Sequence, residues 1–276
     1  MKTSRLTDPR FGESLYATNG MVELYIPLTY GLRIAHFSFC GGQNVFWEQP
    51  KDMTILTKGD WRLRGGHRMW VAPEDDREYF PDNDPIDCRV EGDTIYLTQG
   101  NDDFQKVIKS MAITFVGDAS VQVVHGMQNT DCISRQCALW PISVMAPGGT
   151  EHIPLQLVDD GDHPSHWLSF WNHTNIGDPR VTYKADEIIL AQRPIGEHYK
   201  IGVSRISAPA WYENHGVIFE KEFPVTDGVL YPDNNVSYET YMCDQMLEME
   251  SLSPLYTFAP GEIREHTEVW HLRKGE

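Results

Sequence analysis

The stretch that decides the fold covers residues 246–272 and reads MLEMESLSPLYTFAPGEIREHTEVWHL. Side chains along a β-strand alternate between its two faces, so Glu248 and Glu250 share one face, with Cβ atoms about 7 Å apart. Two carboxylates this close push their pKa values apart when they face a pocket, and such a pair can serve as base and acid. On a solvated face the same pair would be inert. The mostly apolar neighbours favour the pocket.

Short alternating runs of β-branched and aromatic residues recur along the whole chain. They are separated by turns such as Pro260-Gly261-Glu262, which is typical of a sandwich or barrel of antiparallel strands. No window carries an apolar stripe at helical spacing with a credible cap. We therefore predict one all-β domain over residues 1–276. Its clearest predicted strands are 21–27, 32–39, 94–98, 106–115, 120–128, 187–191, 216–223 and 238–249.

The composition excludes several classes of function. A net charge of −17 argues against binding to nucleic acid or to an anionic membrane surface, because phosphate groups would be repelled. No stretch reaches the ~18 apolar residues that span a bilayer, and residues 1–14 lack the apolar segment of a secretory signal. The 5 cysteines include no CxxC pair and indicate reduced thiols. We expect a cytoplasmic protein, monomeric or homodimeric, and its charge fits a neutral or cationic small ligand.

A second motif, LRGGHRMWVAPE at residues 63–74, combines two glycines with an imidazole, a guanidinium and an indole. Glycine lets the backbone approach a ligand closely. His67 can donate or accept a hydrogen bond, Arg68 donates to pairs of hydroxyl groups, and Trp70 offers a flat apolar face. These are the groups that a sugar site uses. The alternative interpretation packs Trp70 in the core and pairs Arg68 with the acidic residues 73–87, which we predict to be a long surface loop.

The order of these motifs resembles that of the galactose mutarotase (aldose 1-epimerase) superfamily. Those proteins carry a catalytic glutamate on a late strand, then a proline-containing loop, a Pro-Gly-Glu turn and a closing strand. In this chain Glu250 is followed by Pro254, by Pro260-Gly261-Glu262 and by the closing run 266–270. The resemblance implies a large two-sheet antiparallel β-supersandwich. It also makes Glu250 the candidate general base, with Glu248 as the alternative.

The histidine that acts as the acid in mutarotases has no counterpart in the matching segment of this chain. Mutarotases read Asn-His-Ser-Tyr-Phe-Asn-Leu there, whereas this chain has Trp140 within residues 138–149. An indole donates a hydrogen bond but cannot shuttle a proton, although it is a good stacking platform for a sugar. His67 is then the nearest candidate acid, in a motif where mutarotases place the histidine before the glycines. Together these segments look more specifically like the DUF4380-type bacterial branch of the superfamily.

Histidines and tryptophans also cluster in GDHPSHWLSFWNH at residues 161–173. His163 and His166 stand three residues apart, but Pro164 and the lack of a helix deny them the regular geometry of a metal site. We therefore expect no metal and no organic cofactor. Trp171 and His173 are candidates for the sugar pocket instead. Weaker candidates, for which no spacing argument exists, are Arg193, Lys200, Arg205, Trp211 and Tyr212.

The leading hypothesis is an aldose 1-epimerase-like protein that acts at the anomeric carbon of a free monosaccharide. Glu250 would remove the O1 proton, and His67 would protonate the ring oxygen. Two alternatives stay open: a carbohydrate-binding protein without turnover, which the missing histidine favours, and another sugar isomerase, a lyase or a glycosidase on the same fold. Two carboxylates on one strand seldom straddle a glycosidic bond. The predicted substrate-binding residues are Arg68, Trp70, Trp140, Glu248, Trp171 and His173.

Overall fold

The computed structural model describes residues 1–51, 53, 61–157, 159 and 161–275, and strands dominate this part of the chain. Its helices are two single turns, the 3-10 helix Asp76–Tyr79 and the helix α1 at Pro232–Asn235. Neither turn approaches the length or the apolar character that a membrane-spanning helix needs. The chain is therefore all-β, as the alternating runs predict.

The strands are numbered β1 to β22 along the chain. Within the described residues they pair into three antiparallel sheets, and the strands of each sheet are given below in order from one edge to the other. A four-stranded sheet contains β1 (Lys2–Asp8), β2 (Gly12–Thr18), β3 (Val22–Pro27) and β5 (His36–Phe39). A ten-stranded sheet contains β14 (Val181–Tyr183), β15 (Glu187–Ala191), β12 (Thr150–Pro154), β17 (Ala210–Asn214), β18 (Val217–Glu222), β22 (Ile263–Lys274), β10 (Ser120–Asn129), β9 (Val107–Gly117), β8 (Thr94–Thr98) and β7 (Asp87–Glu91). An eight-stranded sheet contains β13 (Leu168–Phe170), β16 (Tyr199–Val203), β19 (Tyr238–Met242), β20 (Leu247–Ser251), β11 (Arg135–Met145), β6 (Gly66–Ala72) and β4 (Arg33–Ile34), with β21 (Tyr256–Phe258) paired to β11.

Two of the predicted strands are each divided in the structure. Residues 238–249 form a hairpin of β19 and β20, because the chain reverses at Cys243, whose N–H donates to the carbonyl of Met246 at 3.1 Å. Residues 32–39 form β4 and β5, which lie in different sheets and are separated by Ala35. The bounds predicted for β8 and β15 are confirmed. The alternation was visible in the sequence, but the reversals were not.

The acidic segment 73–87 is more than the predicted surface loop. It contains the turn Asp76–Tyr79, and Glu78 within that turn is buried. The Glu78 carboxylate accepts a hydrogen bond from the Val71 N–H at 3.0 Å and lies 3.7 Å from the ammonium of Lys109. These contacts fix the segment against the edge of β6.

Alternate residues of the eight-stranded sheet divide between two apolar clusters. On β6, Met69 and Val71 join the main core, which they share with side chains of the ten-stranded sheet. The intervening Trp70 and Ala72 belong to a separate cluster on the opposite face. The main core therefore lies between the two large sheets, and the outer face of the eight-stranded sheet is left to build a site.

The layer between the sheets also contains a network of buried polar groups. Glu268 on β22 lies 3.0 Å from the ammonium of Lys221 on β18 and accepts hydrogen bonds from Ser251 at 2.6 Å and from the Trp270 indole at 2.8 Å. All four side chains are fully buried. Burial alone would raise the pKa of Glu268, but Lys221 and the neighbouring His67 hold it far below its usual value.

Glu151 is a second buried carboxyl group in this layer. It accepts hydrogen bonds from the hydroxyls of Tyr238 at 2.5 Å and Thr240 at 2.6 Å. Burial nevertheless raises the pKa of Glu151 from 4.5 to about 8, because the loss of solvent outweighs these two hydrogen bonds and the charge of Lys221. Glu151 is therefore protonated at neutral pH.

Because Glu151 is protonated at neutral pH, we expect Glu151→Gln to lower the free energy of unfolding by an amount that depends on pH. The folded protein binds this proton more tightly than the unfolded chain, so its contribution is complete below pH 4.5 and is lost as the pH rises through about 8. The destabilisation caused by Glu151→Gln should therefore be largest below about pH 4.5 and shrink by about 1.4 kcal/mol per pH unit from there up to about pH 8. Urea denaturation of both proteins across this range measures it. A destabilisation by Glu151→Gln that grows with pH would contradict the raised pKa of Glu151.

Candidate active site

The register of the eight-stranded sheet brings residues from five strands together on its outer face. Arg68 on β6 is paired with Ile142 on β11, Ile142 with Glu250 on β20, and Glu250 with Glu239 on β19. The neighbouring row on the same face pairs Val144, Glu248, Tyr241 and Lys200 in the same way. The predicted placement of Glu248 and Glu250 on one face of a strand is confirmed by this pairing.

These rows form the floor of a cleft with two chambers. The larger has a volume of about 620 Å³, within the range of about 300–1,000 Å³ that is common for small-molecule sites. The smaller chamber has a volume of about 310 Å³, shares part of its lining with the larger one and adds a rim of carboxylates. The tryptophans of the larger chamber, among the described residues, are Trp47, Trp61, Trp70, Trp140 and Trp171. The residues that line both chambers are Glu74, Tyr79, Trp140, Trp171 and Lys200.

Most of the residues predicted for the site are brought together in the larger chamber. Those that line it are Arg68, Trp70, Trp140, Glu248, Trp171 and His173. Trp70, for which a core position was the alternative, is buried and lines the chamber as well, with its ring edge-to-face against Trp140 at 5.6 Å between centroids. The two interpretations of Trp70, as a buried side chain and as part of the cleft, are therefore compatible.

Glu248 and Arg68 form an ion pair on the floor of the larger chamber. Their closest oxygen and nitrogen atoms are 3.4 Å apart, and the Arg68 guanidinium also lies over the Trp70 ring at 4.4 Å. Burial raises the pKa of Glu248, and the Arg68 charge opposes that rise. Arg68 thus pairs with a carboxylate of β20 and not, as the alternative interpretation had it, with the acidic segment 73–87.

Glu250 lies directly beneath the chamber surface, with only 1% of its area exposed. Its Oε2 accepts a hydrogen bond from the Trp140 indole at 2.8 Å and lies 3.6 Å from the Lys200 ammonium. Burial raises the pKa of Glu250 to about 7, against the lowering effect of Lys200. A carboxyl group with this pKa can both take and release a proton near neutral pH.

Lys200 occupies the junction of the two chambers. Its ammonium is sandwiched between the rings of Trp140 at 4.5 Å and Trp171 at 4.6 Å, and it lies 3.0 Å from Glu239 and 3.8 Å from Glu74. Burial alone would lower the pKa of Lys200, but the carboxylates around it hold that pKa well above its usual value. Sequence reasoning offered Lys200 only as a weak candidate. The available signal was a lone lysine inside the otherwise uncharged strand Tyr199–Val203.

Replacing Lys200 with methionine is expected to raise the pKa of Glu250 further above about 7, because it removes the cation that favours the carboxylate. We expect a rise of roughly one unit or more. Titration of the glutamate side-chain carboxyl carbons by ¹³C NMR measures it. Lys184→Met, which removes an exposed lysine paired with Glu187, is the control. An unchanged titration of Glu250 in the Lys200 variant would contradict the role of this ammonium.

The structure places His67 away from the cleft, which corrects its assignment as the acid. His67 precedes Arg68 on β6, so its side chain points to the opposite face, between the sheets, where it is fully buried. Its ring nitrogens lie 2.8 Å from the Ser143 hydroxyl and 2.7 Å from Nε2 of His125. Burial lowers the pKa of His67, and the side chain cannot reach a sugar that lies against Arg68 and Glu248.

Two other histidines, His173 and His198, do line the larger chamber, at its rim. The Nδ1 atom of His198 lies 2.5 Å from the Tyr241 hydroxyl. His163 and His166 line neither chamber. In the described part of the chain, the cleft therefore has aromatic walls, a floor of carboxylates with two cations, and histidines at its edge only.

One group of side chains in the described residues is close enough to hold a metal ion. Donor atoms of His67, His125 and Glu268 lie within 4.8 Å of one another, between the sheets. Lys221 already supplies a positive charge 3.0 Å from Glu268, and the two histidine Nε2 atoms are in direct hydrogen-bonding contact at 2.7 Å. This arrangement suits a neutral His–His pair beside an ion pair better than a divalent cation, which Lys221 would repel.

No protein-family model and no curated protein matches the sequence. Solved structures do match. A putative mutarotase from Salmonella typhimurium shares 11% identity, with a TM-score of 0.63 over 99% of this chain and 94% of that one. A galactose mutarotase-like protein from Lactobacillus casei shares 12% identity, with a TM-score of 0.62 over 94% of this chain and 100% of that one. A putative aldose 1-epimerase from Escherichia coli shares 12% identity, with a TM-score of 0.58 over 94% of this chain and 98% of that one.

At these identities the likeness concerns the fold. It covers almost the whole of both chains in each case, and it agrees with the two large antiparallel sheets. The four-stranded sheet of β1, β2, β3 and β5 is an addition to the two sheets that the sequence predicted. The chain has the galactose mutarotase-like β-sandwich fold.

Proposed function

We propose that the protein binds a free monosaccharide in the cleft and interconverts its anomers, with Glu250 as the general base. The observation that carries this proposal is a buried carboxyl group with a pKa of about 7, held by the Trp140 indole beneath a chamber walled by tryptophans. Flat indole faces pack against the C–H side of a sugar ring, and the Glu248–Arg68 pair offers an acceptor and donors for its hydroxyl groups.

Catalysis would begin when the Glu250 carboxylate takes the proton of the anomeric hydroxyl. The ring then opens to the aldehyde, the C1–C2 bond rotates, and the ring closes on the other face. Lys200 and Trp140 contact Glu250, line the chamber and cover the Glu250 carboxyl group. We infer that a sugar hydroxyl takes the place of the Lys200 contact with Glu250.

The second candidate function is sugar binding without turnover. Two observations favour it: His67 lies between the sheets and not in the cleft, and Glu250 is only 1% exposed. A glycosidase is disfavoured, because Glu248 and Glu250 are two residues apart on one strand and do not face each other across a gap.

Saturation-exchange NMR of anomers, over a panel of neutral aldoses, tests the proposal. Wild-type protein should accelerate exchange between the α and β signals of at least one aldose, and Glu250→Gln should not. Equal rates for the two proteins would contradict the role of Glu250. A sugar that binds, as followed by tryptophan fluorescence, without any accelerated exchange would establish the second candidate instead. The DUF4380-type branch, the cytoplasmic location and the monomeric or homodimeric state stay predictions.

A further inference from the structure

Glu239 is a second glutamate on the floor of the cleft, directly opposite Glu250 on the neighbouring strand. The two residues are directly paired between β19 and β20, so their Cβ atoms are about 5 Å apart on one face of the sheet. Glu239 is fully buried by its protein neighbours, yet it lines the smaller chamber. No sequence motif pointed to it, because the pairing joins two strands of a hairpin whose turn was not predicted.

Lys200 contacts one oxygen of each carboxyl group and leaves the other open. Its ammonium lies 3.0 Å from Oε2 of Glu239 and 3.6 Å from Oε2 of Glu250. The Oε1 atoms of both residues are buried without a hydrogen-bond partner in the described part of the chain. Buried polar atoms are normally paired, so unpaired carboxyl oxygens on two directly paired residues of the cleft floor indicate a place for ligand groups.

Lys200 cannot balance the charge of both carboxylates. Glu74 also lies 3.8 Å from the same ammonium, and burial raises the pKa of Glu239 well above its usual value, as it raises that of Glu250. Adjacent carboxyl groups in a buried site therefore retain a proton between them near neutral pH. The charged groups that face Glu239 are Lys200 from β16, Glu250 from β20, Asp233 from α1, and Glu74, Asp75 and Asp76 from the segment after β6.

We propose that Glu239 is the catalytic acid that partners Glu250 and takes the role of the mutarotase histidine, in whose place this chain has Trp140. This inference rests on the proposed anomer interconversion. O1 and the ring oxygen O5 are both bonded to C1, so a base and an acid from neighbouring strands can reach them together. Glu248 is less suited to the role because its Oε1 is already paired with the Arg68 guanidinium at 3.4 Å, and His173 and His198 are exposed side chains at the rim of the larger chamber.

The steps balance without another reactant. The Glu250 carboxylate takes the O1 proton while the Glu239 carboxylic acid gives its proton to O5. The C1–O5 bond breaks, with its electron pair on O5, and the C1–O1 double bond forms. After rotation about C1–C2, the C5 hydroxyl attacks the other face of C1 as Glu239 takes back the O5 proton and Glu250 returns its proton to O1. Both side chains recover their starting states.

Glu239→Gln tests the assignment, because it keeps the shape of the side chain and removes the transferable proton. We expect the catalysed anomer exchange to fall by about 10²–10⁴-fold, with the sugar dissociation constant changed only a few-fold. The wild-type rate should also decline as the pH rises above the upper apparent pKa of the pair, and any residual rate of the variant should lack this decline. Glu220→Gln on β18 is the matched control and should exchange at the wild-type rate.

The outcomes separate this inference from the function on which it rests. Exchange lost in Glu250→Gln but retained in Glu239→Gln would overturn the role of Glu239 and leave anomer interconversion standing. No exchange by the wild-type protein would overturn both. If Glu239→Gln does not fold, as judged by circular dichroism, the wild-type pH profile decides: a rate that stays level through the alkaline range would overturn the proposal, and a decline would support it.

Discussion

Replacing Lys221 with methionine is expected to lower the free energy of unfolding by about 3–5 kcal/mol, because it leaves the Glu268 carboxylate buried without a counter-charge. The ammonium lies 3.0 Å from Glu268 and donates a hydrogen bond to the carbonyl of Met249 at 2.9 Å, and both side chains of the ion pair have 0% exposure. Methionine fills a similar volume but replaces neither the charge nor the hydrogen bond. Chemical denaturation at pH 7 measures the loss.

A control variant and a double variant separate the loss of the ion pair from the general effect of removing a lysine. Lys184→Met, at an exposed lysine, should change stability by less than about 0.5 kcal/mol. The double variant Lys221→Met/Glu268→Gln should recover about half of the loss, because an uncharged amide costs less to bury than an unpaired carboxylate. A Lys221→Met protein as stable as the wild type would show that this ion pair does not stabilise the layer between the sheets.

The second large effect is expected at Glu250, where glutamine should reduce the catalysed anomer exchange by about 10²–10⁴-fold. The amide is nearly isosteric, and its carbonyl oxygen can still accept the hydrogen bond from the Trp140 indole, which is 2.8 Å long in the wild type. It cannot take a proton from the anomeric hydroxyl at any accessible pH. The rate should fall while sugar binding persists, since the walls of the chamber are unchanged.

The control for this experiment is again Glu220→Gln, which removes a carboxylate outside the cleft. Sugar affinity is measured by tryptophan fluorescence in parallel with the exchange rate. If Glu250→Gln lost affinity and rate together, Glu250 would be a binding group and not a base. If exchange persisted at the wild-type rate, the base would have to be sought at Glu248.

The features that depend only on residues close together along the chain could be predicted from the sequence. The alternation of side chains predicted an all-β fold, and the spacing of Glu248 and Glu250 predicted their common face, which the pairing of β20 confirms. The motif at residues 63–74 also made Arg68 and Trp70 candidates for the site, and both line the cleft. Each of these rests on the two-residue period of a strand.

What the sequence could not predict depends on pairing between distant strands. Lys200 and Glu239 reach the floor because β16 pairs with β19 and β19 with β20, and no local pattern fixes that register. The error at His67 has the same origin. A motif gives the order of residues, but which of two neighbours faces the ligand is decided by the sheet into which the strand is built.

The two faces of β20 set a limit on how this protein can be engineered. Glu248 lines the cleft and Glu250 lies beneath its surface on the same face, while Leu247 and Met249 pack in the core between the sheets. Inserting or deleting one residue inside the strand would exchange the faces, so that Met249 would enter the cleft and a glutamate would be driven towards Lys221. The lining of the cleft can therefore be redesigned on this strand by replacing side chains one for one, and changes of length belong in the turns between strands.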